Sequence, residues 1–359
     1  MPPLSMLIKP ASGCCNLRCR YCFYKENTHG IMPLEMLKVL VKKALSFADS
    51  SCTFMFQGGE PTLAGLPFFE KLIEYQSKYN TKSVTITNSI QTNGIMIDKN
   101  WADFFARKDF LIGLSLDGTK EIHNQNRIFA DESGTFSCVL KTAELFNRTG
   151  VQYNILCVVT KNVARCARQV YNFFKSKGFR YLQFIPCLDP LEEERGSNAY
   201  SLTSQDYLHF LKTTFDLWYE DIKRKDAVSI RYFDNFLAMA MGQPPEACGM
   251  SGICGCQFVT EADGSVYPCD FYVGSEWKIG HILEDSFEDM RFSEVCEQFI
   301  EESRHLHPGC KACKWLPLCR GGCKRDRTAS GKNYYCDSYK AFLEYSLPRL
   351  QGLNSNSFI

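Results

Sequence analysis

Met6-Leu7-Ile8-Lys9-Pro10, followed by Cys15-Asn16-Leu17-Arg18-Cys19-Arg20-Tyr21-Cys22, is the stretch on which the reading of this chain turns. The short apolar run reads as a buried strand, and the loop behind it spaces three cysteines as C-x3-C-x2-C. Three thiolates on one loop hold three irons of a cubane cluster and leave the fourth iron without a protein ligand, open to a substrate or cofactor. Zinc is the competing reading, but zinc sites usually pair C-x2-C ligands with a distant second pair, and no histidine stands close enough to complete a set. Cys14 adjoins Cys15, so spacing by itself leaves the first ligand ambiguous.

The strand-then-loop pattern repeats outward from that point. Strands are expected at Met6 to Pro10, Thr53 to Gln57, Ser83 to Ser89, Phe110 to Leu116, Tyr153 to Val159 and Tyr181 to Pro186. Between them Leu34 to Phe47, Leu66 to Tyr79, Lys99 to Ala106, Phe136 to Asn147 and Val163 to Lys177 place apolar residues three and four apart, as helices with one buried face require. Repeated βα units imply a parallel sheet with right-handed crossovers, an α/β fold of the partial (β/α)6 barrel kind. Reactive residues of such barrels gather beyond the C-terminal ends of the strands. The cysteine loop, Gly58-Gly59-Glu60-Pro61 and Asp117-Gly118 follow the first, second and fourth strands, so the placement favours function.

A helix from Ser204 to Lys223 ends the repeat. Short strands, tight turns and cysteines then take over, with a β-hairpin expected from Gln257 to Glu261 and Ser265 to Pro268 through Ala262-Asp263-Gly264, where Asp-Gly suits a turn needing positive φ. The expected division is a barrel over residues 1–226, a small cysteine-rich α+β domain over 227–345 and a tail over 346–359.

Composition narrows the function class. With 41 Lys plus Arg against 40 Asp plus Glu in 359 residues, no global field draws in nucleic acid or an acidic membrane. The N-terminus lacks the basic region, long apolar run and cleavage site of a signal peptide, and no stretch approaches the roughly 20 apolar residues of a membrane span, so a soluble cytoplasmic protein is expected. The 19 cysteines, an odd number in a long chain without an export signal, point to metal ligation over a disulfide framework.

The first cysteine loop and the Gly-Gly-Glu-Pro segment resemble the radical S-adenosylmethionine (SAM) superfamily. The resemblance selects Cys15, Cys19 and Cys22 as cluster ligands and implies a SAM site at Tyr21, Gly58, Gly59, Glu60, Ser115, Arg127 and Leu188. A second system, Cys310, Cys313, Cys319, Cys323 and Cys336 at C-x2-C-x5-C-x3-C-x12-C, preceded by Cys254, Gly264 and Cys269, resembles the SPASM domain, which holds two auxiliary clusters. By that resemblance Cys248, Cys254, Cys269 and Cys323 serve one and Cys310, Cys313, Cys319 and Cys336 the other, with Cys256 as an alternative to Cys254. Three [4Fe-4S] clusters and SAM are therefore the implied cofactors. Cys14, Cys52, Cys138, Cys157, Cys166, Cys187, Cys256 and Cys296 are left over, mostly among apolar residues, where a free thiol behaves as a small hydrophobe.

Tyr267-Pro268-Cys269-Asp270-Phe271-Tyr272, with likeness over nearly the whole chain, narrows the resemblance to the anaerobic sulfatase-maturating enzymes. It implies oxidation of a sulfatase cysteine or serine, in a Cys-x-Pro-x-Arg or Ser-x-Pro-x-Arg segment, to Cα-formylglycine, with Asp270 as the base. Tyr24 and Gln57 are expected to grip the peptide. A flavodoxin or ferredoxin is the expected electron donor, and a monomer the expected state. Two rivals stand: another SPASM peptide modifier, for whose leader-recognising domain the early start of the cluster loop leaves no room, and a noncatalytic iron-sulfur or zinc protein, which leaves the open three-cysteine loop without a purpose.

Overall fold

The computed structural model describes residues 3–24, 29–191 and 193–353. Six parallel strands form its centre: β1 (Leu4–Ile8), β2 (Ser51–Phe56), β3 (Thr85–Thr92), β4 (Phe110–Ser115), β5 (Tyr153–Val159) and β6 (Tyr181–Pro186). Each pairs with the next in register, from Leu4 opposite Cys52 to Val159 opposite Pro186. Helices Leu34–Phe47, Leu66–Tyr79, Lys99–Arg107 and Phe136–Thr149 cross between them, and Ser204–Lys223 follows β6. Their apolar stripes, such as Leu37, Leu40, Val41, Ala44 and Leu45 on the first, are buried against the sheet, and that burial is the main favourable term in folding. The expected (β/α)6 partial barrel is the fold of this half.

Beyond β6 the sheet continues on both edges. β7 (Ser229–Ile230) adds in parallel to β6. A hairpin of β8 (Val259–Thr260) and β9 (Ser265–Tyr267) joins the other edge, β8 running parallel to β1 with Leu7 opposite Val259, and β10 (Gly280–His281) completes ten strands. The hairpin turn is the expected one: Gly264 has φ +91°, and a Cβ there would lie 2.8 Å from Met36 and 2.9 Å from His281.

Several boundaries differ from expectation for local reasons. β3 starts at Thr85, not Ser83, because Ser83 takes φ +55° and the Asn80 side chain clamps both main-chain groups of Val84 at 2.8 Å. The expected helix Val163 to Lys177 is two, Lys161–Arg165 and Ala167–Ser176, parted at Cys166, with Thr160 capping the first. Helix Cys336–Gln351 runs through position 346, burying Phe342, Leu343, Ser346 and Leu350, and residues 354–359 of the expected tail lie outside the described residues. Of the cysteines expected among apolar residues, Cys138 is exposed on a helix surface, whereas Cys52, Cys157, Cys187 and Cys296 are buried.

Candidate active site

The cysteine loop leaves β1 in tight turns, Ser12 N donating to Lys9 O at 3.1 Å and Cys14 N to Ala11 O at 2.9 Å. Gly58 and Gly59 carry the chain from β2 directly against it, with Gly59 N donating to Ser12 O at 2.6 Å and Glu60 N to Cys14 O at 2.8 Å. A Cβ on Gly59 would stand 2.0 Å from the Cys14 carbonyl oxygen, so only glycine permits this approach. The Glu60 side chain is fully buried: Oε1 accepts from Thr62 N at 3.1 Å and from the Thr62 and Thr92 hydroxyls at 2.7 Å, and Oε2 accepts from Asn93 N at 2.7 Å. Burial pushes its carboxyl pKa up while those donors pull it back. This carboxylate ties the ends of β2 and β3 together, leaving the segment's backbone to face the cavity. Asn93 then donates to Asn16 Oδ1 at 2.8 Å and reaches Cys15 Sγ at 3.7 Å, steadying the cluster loop.

A second buried group stands beyond β4 and β5. Asp117 accepts from the Tyr21 hydroxyl and from Arg127 Nε at 2.9 Å through Oδ2, and from Val158 N at 2.9 Å through Oδ1. Arg127 lies over the Tyr21 ring, 5.5 Å from its centroid. Burial opposes the Arg127 charge, but Asp117 beside it outweighs that and holds the guanidinium's pKa above its ordinary value. His123, lowered by burial to about 3, stays neutral and accepts from Asp117 N at 3.2 Å. Tyr21 and Arg127 are thus fixed in orientation by a carboxylate rather than by each other.

The third group joins the two halves of the chain. Lys9, at the end of β1 and fully buried, places Nζ 2.5 Å from Asp270 Oδ1 and 3.9 Å from Glu261 Oε1. The Lys9 and Asp270 atoms meet as an ion pair off the hydrogen-bonding direction, leaving neither with a directional bond. Gln57 Nε2 donates to Asp270 Oδ2 at 2.9 Å. The Tyr24 ring lies under Lys9 Nζ at 3.2 Å, and its hydroxyl donates to Glu261 Oε1, while Ser12 Oγ donates to Glu261 Oε2 at 2.9 Å. Burial pushes the Glu261 carboxyl up to about 7 against the pull of Lys9 and Ser12.

All three groups wall one cavity of about 940 Å³, open to solvent. Cys15, Cys19, Cys22, Tyr21, Tyr24, Gln57, Gly58, Gly59, Glu60, Ser115, Arg127, Leu188 and Asp270 line it together. Three thiols at one wall and glycine backbone at another suit an iron-sulfur cluster with a bound cofactor, so the residues fit both groups.

The C-terminal cysteines sort by their electrostatic neighbours. Cys254 interacts with Cys248, Cys269 and Cys323, and Cys319 with Cys310, Cys313 and Cys336. Cys256 turns instead to Cys296 and shares a hydrogen bond with it, so the geometry sets Cys254 with its group and Cys256 apart. Among the described residues no three His, Cys, Asp or Glu side chains converge on one point as a single ion requires. Two groups of four thiols fit two fully ligated clusters.

Residues 10–173 match the model of the radical SAM superfamily, and residues 253–314 that of an iron-sulfur cluster-binding domain, SPASM. The cysteine-type anaerobic sulfatase-maturating enzyme of Clostridium perfringens (strain 13 / Type A) is 52% identical over 99% of this chain and 100% of its own. The chain belongs to the anaerobic sulfatase-maturating enzymes. The serine-type anaerobic sulfatase-maturating enzyme of Bacteroides thetaiotaomicron is 32% identical, covering 96% of this chain and 90% of its own. A solved structure of native anSMEcpe with bound AdoMet and Kp18Cys peptide superposes with a TM-score of 0.96 at 53% identity, over 98% of this chain and 99% of that one. Within this family setting, Lys9, Asn93 and Glu261 are site residues that sequence reasoning missed, and Asp117 was noticed only by position. Lys9 ends an apolar strand, a signal too slight to mark it, and Glu261 reaches it from the far half of the chain.

Proposed function

We propose that this chain oxidises a sulfatase cysteine to Cα-formylglycine, using SAM and three [4Fe-4S] clusters. The observation that carries the reading is the single cavity in which Cys15, Cys19 and Cys22 stand with Asp270. Cys15, Cys19 and Cys22 hold the open cluster; Cys248, Cys254, Cys269 and Cys323 hold one auxiliary cluster, and Cys310, Cys313, Cys319 and Cys336 the other. When bound, SAM on the open iron supplies on one-electron cleavage the radical that takes a hydrogen atom from the substrate β-carbon, and the auxiliary clusters supply the electron sink.

The protein's own residues do the rest. The backbone of Gly58 to Glu60, with Tyr21, Ser115, Arg127 and Leu188, positions the cofactor, and the Asp117 anchor keeps Tyr21 and Arg127 from turning away. Tyr24 and Gln57 border the peptide. Asp270 receives the substrate thiol proton at a carboxylate oxygen, while Lys9 pairs with its Oδ1 and Gln57 donates to its Oδ2. Loss of the electron turns the substrate radical into a protonated thioaldehyde, which is strongly acidic, so a carboxylate suffices to take the proton. The substrate has then given up one hydrogen atom, one proton and one electron, and water converts the resulting thioaldehyde to the aldehyde with release of hydrogen sulfide.

Cysteine is preferred over serine in this reading because the relative at 52% identity is the cysteine type and the one at 32% the serine type. The same reading makes the protein a cytoplasmic monomer reduced by a flavodoxin or ferredoxin, its barrel ending near residue 226 and its auxiliary domain near 345. No helix among the described residues is long and apolar enough to cross a membrane. The test incubates the anaerobic, reduced enzyme with SAM and peptides carrying Cys-x-Pro-x-Arg or Ser-x-Pro-x-Arg. Faster conversion of the cysteine peptide, with sulfur replaced by oxygen in the product mass, is expected; a crosslinked or unchanged peptide would end the proposal.

A further inference from the structure

The two groups of auxiliary cysteines are joined through a single cation. Arg327 follows the short 3-10 helix Lys324–Asp326 and is half-buried. Its hydrogen bonds all end on main-chain carbonyls: Nε on Gly321 O at 3.1 Å, Nη2 on Gly252 O at 2.6 Å and Gly322 O at 2.8 Å, and Nη1 on Ser303 O and on His305 O at 3.4 Å. Among the described residues no carboxylate pairs with it, unlike Arg127 with Asp117 at 2.9 Å or Arg195 with Asp326 at 2.8 Å. A shielded cation without an anion is costly to fold around, and carbonyl dipoles alone offset that cost poorly. The groups it does meet are cysteines assigned above to the two auxiliary clusters. Arg327 lies near Cys254 and Cys323 of one group and Cys310 and Cys319 of the other.

The loops it grips are the ones that carry those ligands. Gly252 lies two positions before Cys254, Gly321 and Gly322 lie between Cys319 and Cys323, and the hydroxyl of Ser303 accepts from Cys254 N at 2.9 Å. A Cβ on Gly252 would stand 2.2 Å from Arg320 O, so the carbonyl that Arg327 reaches is held in place by close packing. The five-donor fork therefore fixes the guanidinium relative to both thiol groups at once.

We propose that Arg327 is the shared counter-charge of the two auxiliary clusters and raises the reduction potential of both. The inference rests on the assignment of these cysteines to two clusters. Adding one electron makes a cluster more negative by one charge, with no other bond made or broken. A fixed positive charge nearby stabilises that product, and net charge, hydrogen bonding and burial are the levers that set such potentials.

The experiment is a redox titration followed by electron paramagnetic resonance on the full chain, with Cys15, Cys19 and Cys22 replaced by Ala so that only the auxiliary clusters titrate. Arg327→Gln is expected to move both waves to lower potential, and Arg327→Lys, which keeps the charge but not the fork, to move them less in the same direction. Two unmoved waves, or one moved wave, would overturn the shared role. Should Arg327→Gln fail to retain the roughly eight auxiliary irons of two clusters, retention by Arg327→Lys supports a requirement for the cation. Loss in both variants assigns the residue to loop folding alone and overturns the proposal. Absence of about eight irons from the Arg327 parent is the distinct outcome in which the cluster assignment itself fails.

Discussion

The two cysteine regions solve opposite problems. Cys15, Cys19 and Cys22 lie within eight consecutive residues on a loop shaped by its own turns and by the Gly58-Gly59 contact. The eight auxiliary thiols come from positions 248 to 336 and interleave, so that each group draws on segments far apart in sequence. A local, three-thiol site folds cheaply and stays open to a ligand. A non-local, four-thiol site closes long loops when its metal is bound, and binding free energy becomes folding free energy. In the proposed reading, reactivity sits where the protein withholds a ligand, and stability and electron storage sit where it supplies them all.

The sharpest way to break this comparison is to remove one thiol from each region. Cys15→Ala should reduce 5′-deoxyadenosine formation to the reagent background and lower iron from about twelve to about eight per chain, whereas Cys313→Ala should lose about four irons yet still cleave SAM. Equal loss of cleavage in the two variants would erase the distinction. Next in size, Asp270→Asn should keep most deoxyadenosine formation but slow formylglycine formation by about 10²- to 10⁴-fold, read by peptide mass spectrometry. Lys9→Met leaves two buried carboxylates facing each other, and chemical denaturation should register a loss of about 3–5 kcal/mol, as for other broken buried pairs.

Smaller effects refine the picture. Glu60→Gln sets an amide donor against groups that already donate, and should cost about 1–3 kcal/mol in the same denaturation while loosening the join between β2 and β3. The least effect is in pH dependence. Burial raises the Glu261 carboxyl from 4.5 to about 7, so its protonated form is favoured in the fold, and its contribution to stability is full below about 4.5 and falls as pH rises through about 7. Melting curves of Glu261→Gln should lack that decline; an unchanged slope would mean that Lys9 and Ser12 already stabilise the anion.

Much of the architecture was readable from apolar periodicity alone, because each of the six central strands and their crossing helices buries one continuous face. What periodicity missed was decided by side chains acting at a distance or by exceptions to local preference. Ser83 adopts a left-handed conformation and the Asn80 clamp delays β3, although Val84 and Ile86 read as strand. Helix Cys336–Gln351 contains Pro348 and a weak polar-apolar pattern, yet its packing on helix Ser204–Lys223 carries it to Gln351. In the site, cysteine spacing marked the three-thiol loop that lines the cavity, but the pairing of Lys9 with Asp270 and Glu261 has no sequence signature, since it depends on β8 lying beside β1. The choice between Cys254 and Cys256 was likewise closed to spacing, because only the fold turns Cys256 toward Cys296.

That adjacency of β8 and β1 also bears on how such proteins can be cut and recombined. Leu7 and Ile8 face Val259 and Thr260, and Lys9 N donates to Thr260 O at 2.9 Å. A fragment ending before the hairpin would carry β1 as a bare edge, inviting another polypeptide to add there. Chimaeras that exchange C-terminal halves between relatives must therefore bring along the first dozen residues as well, since the seam of the molecule runs through its beginning.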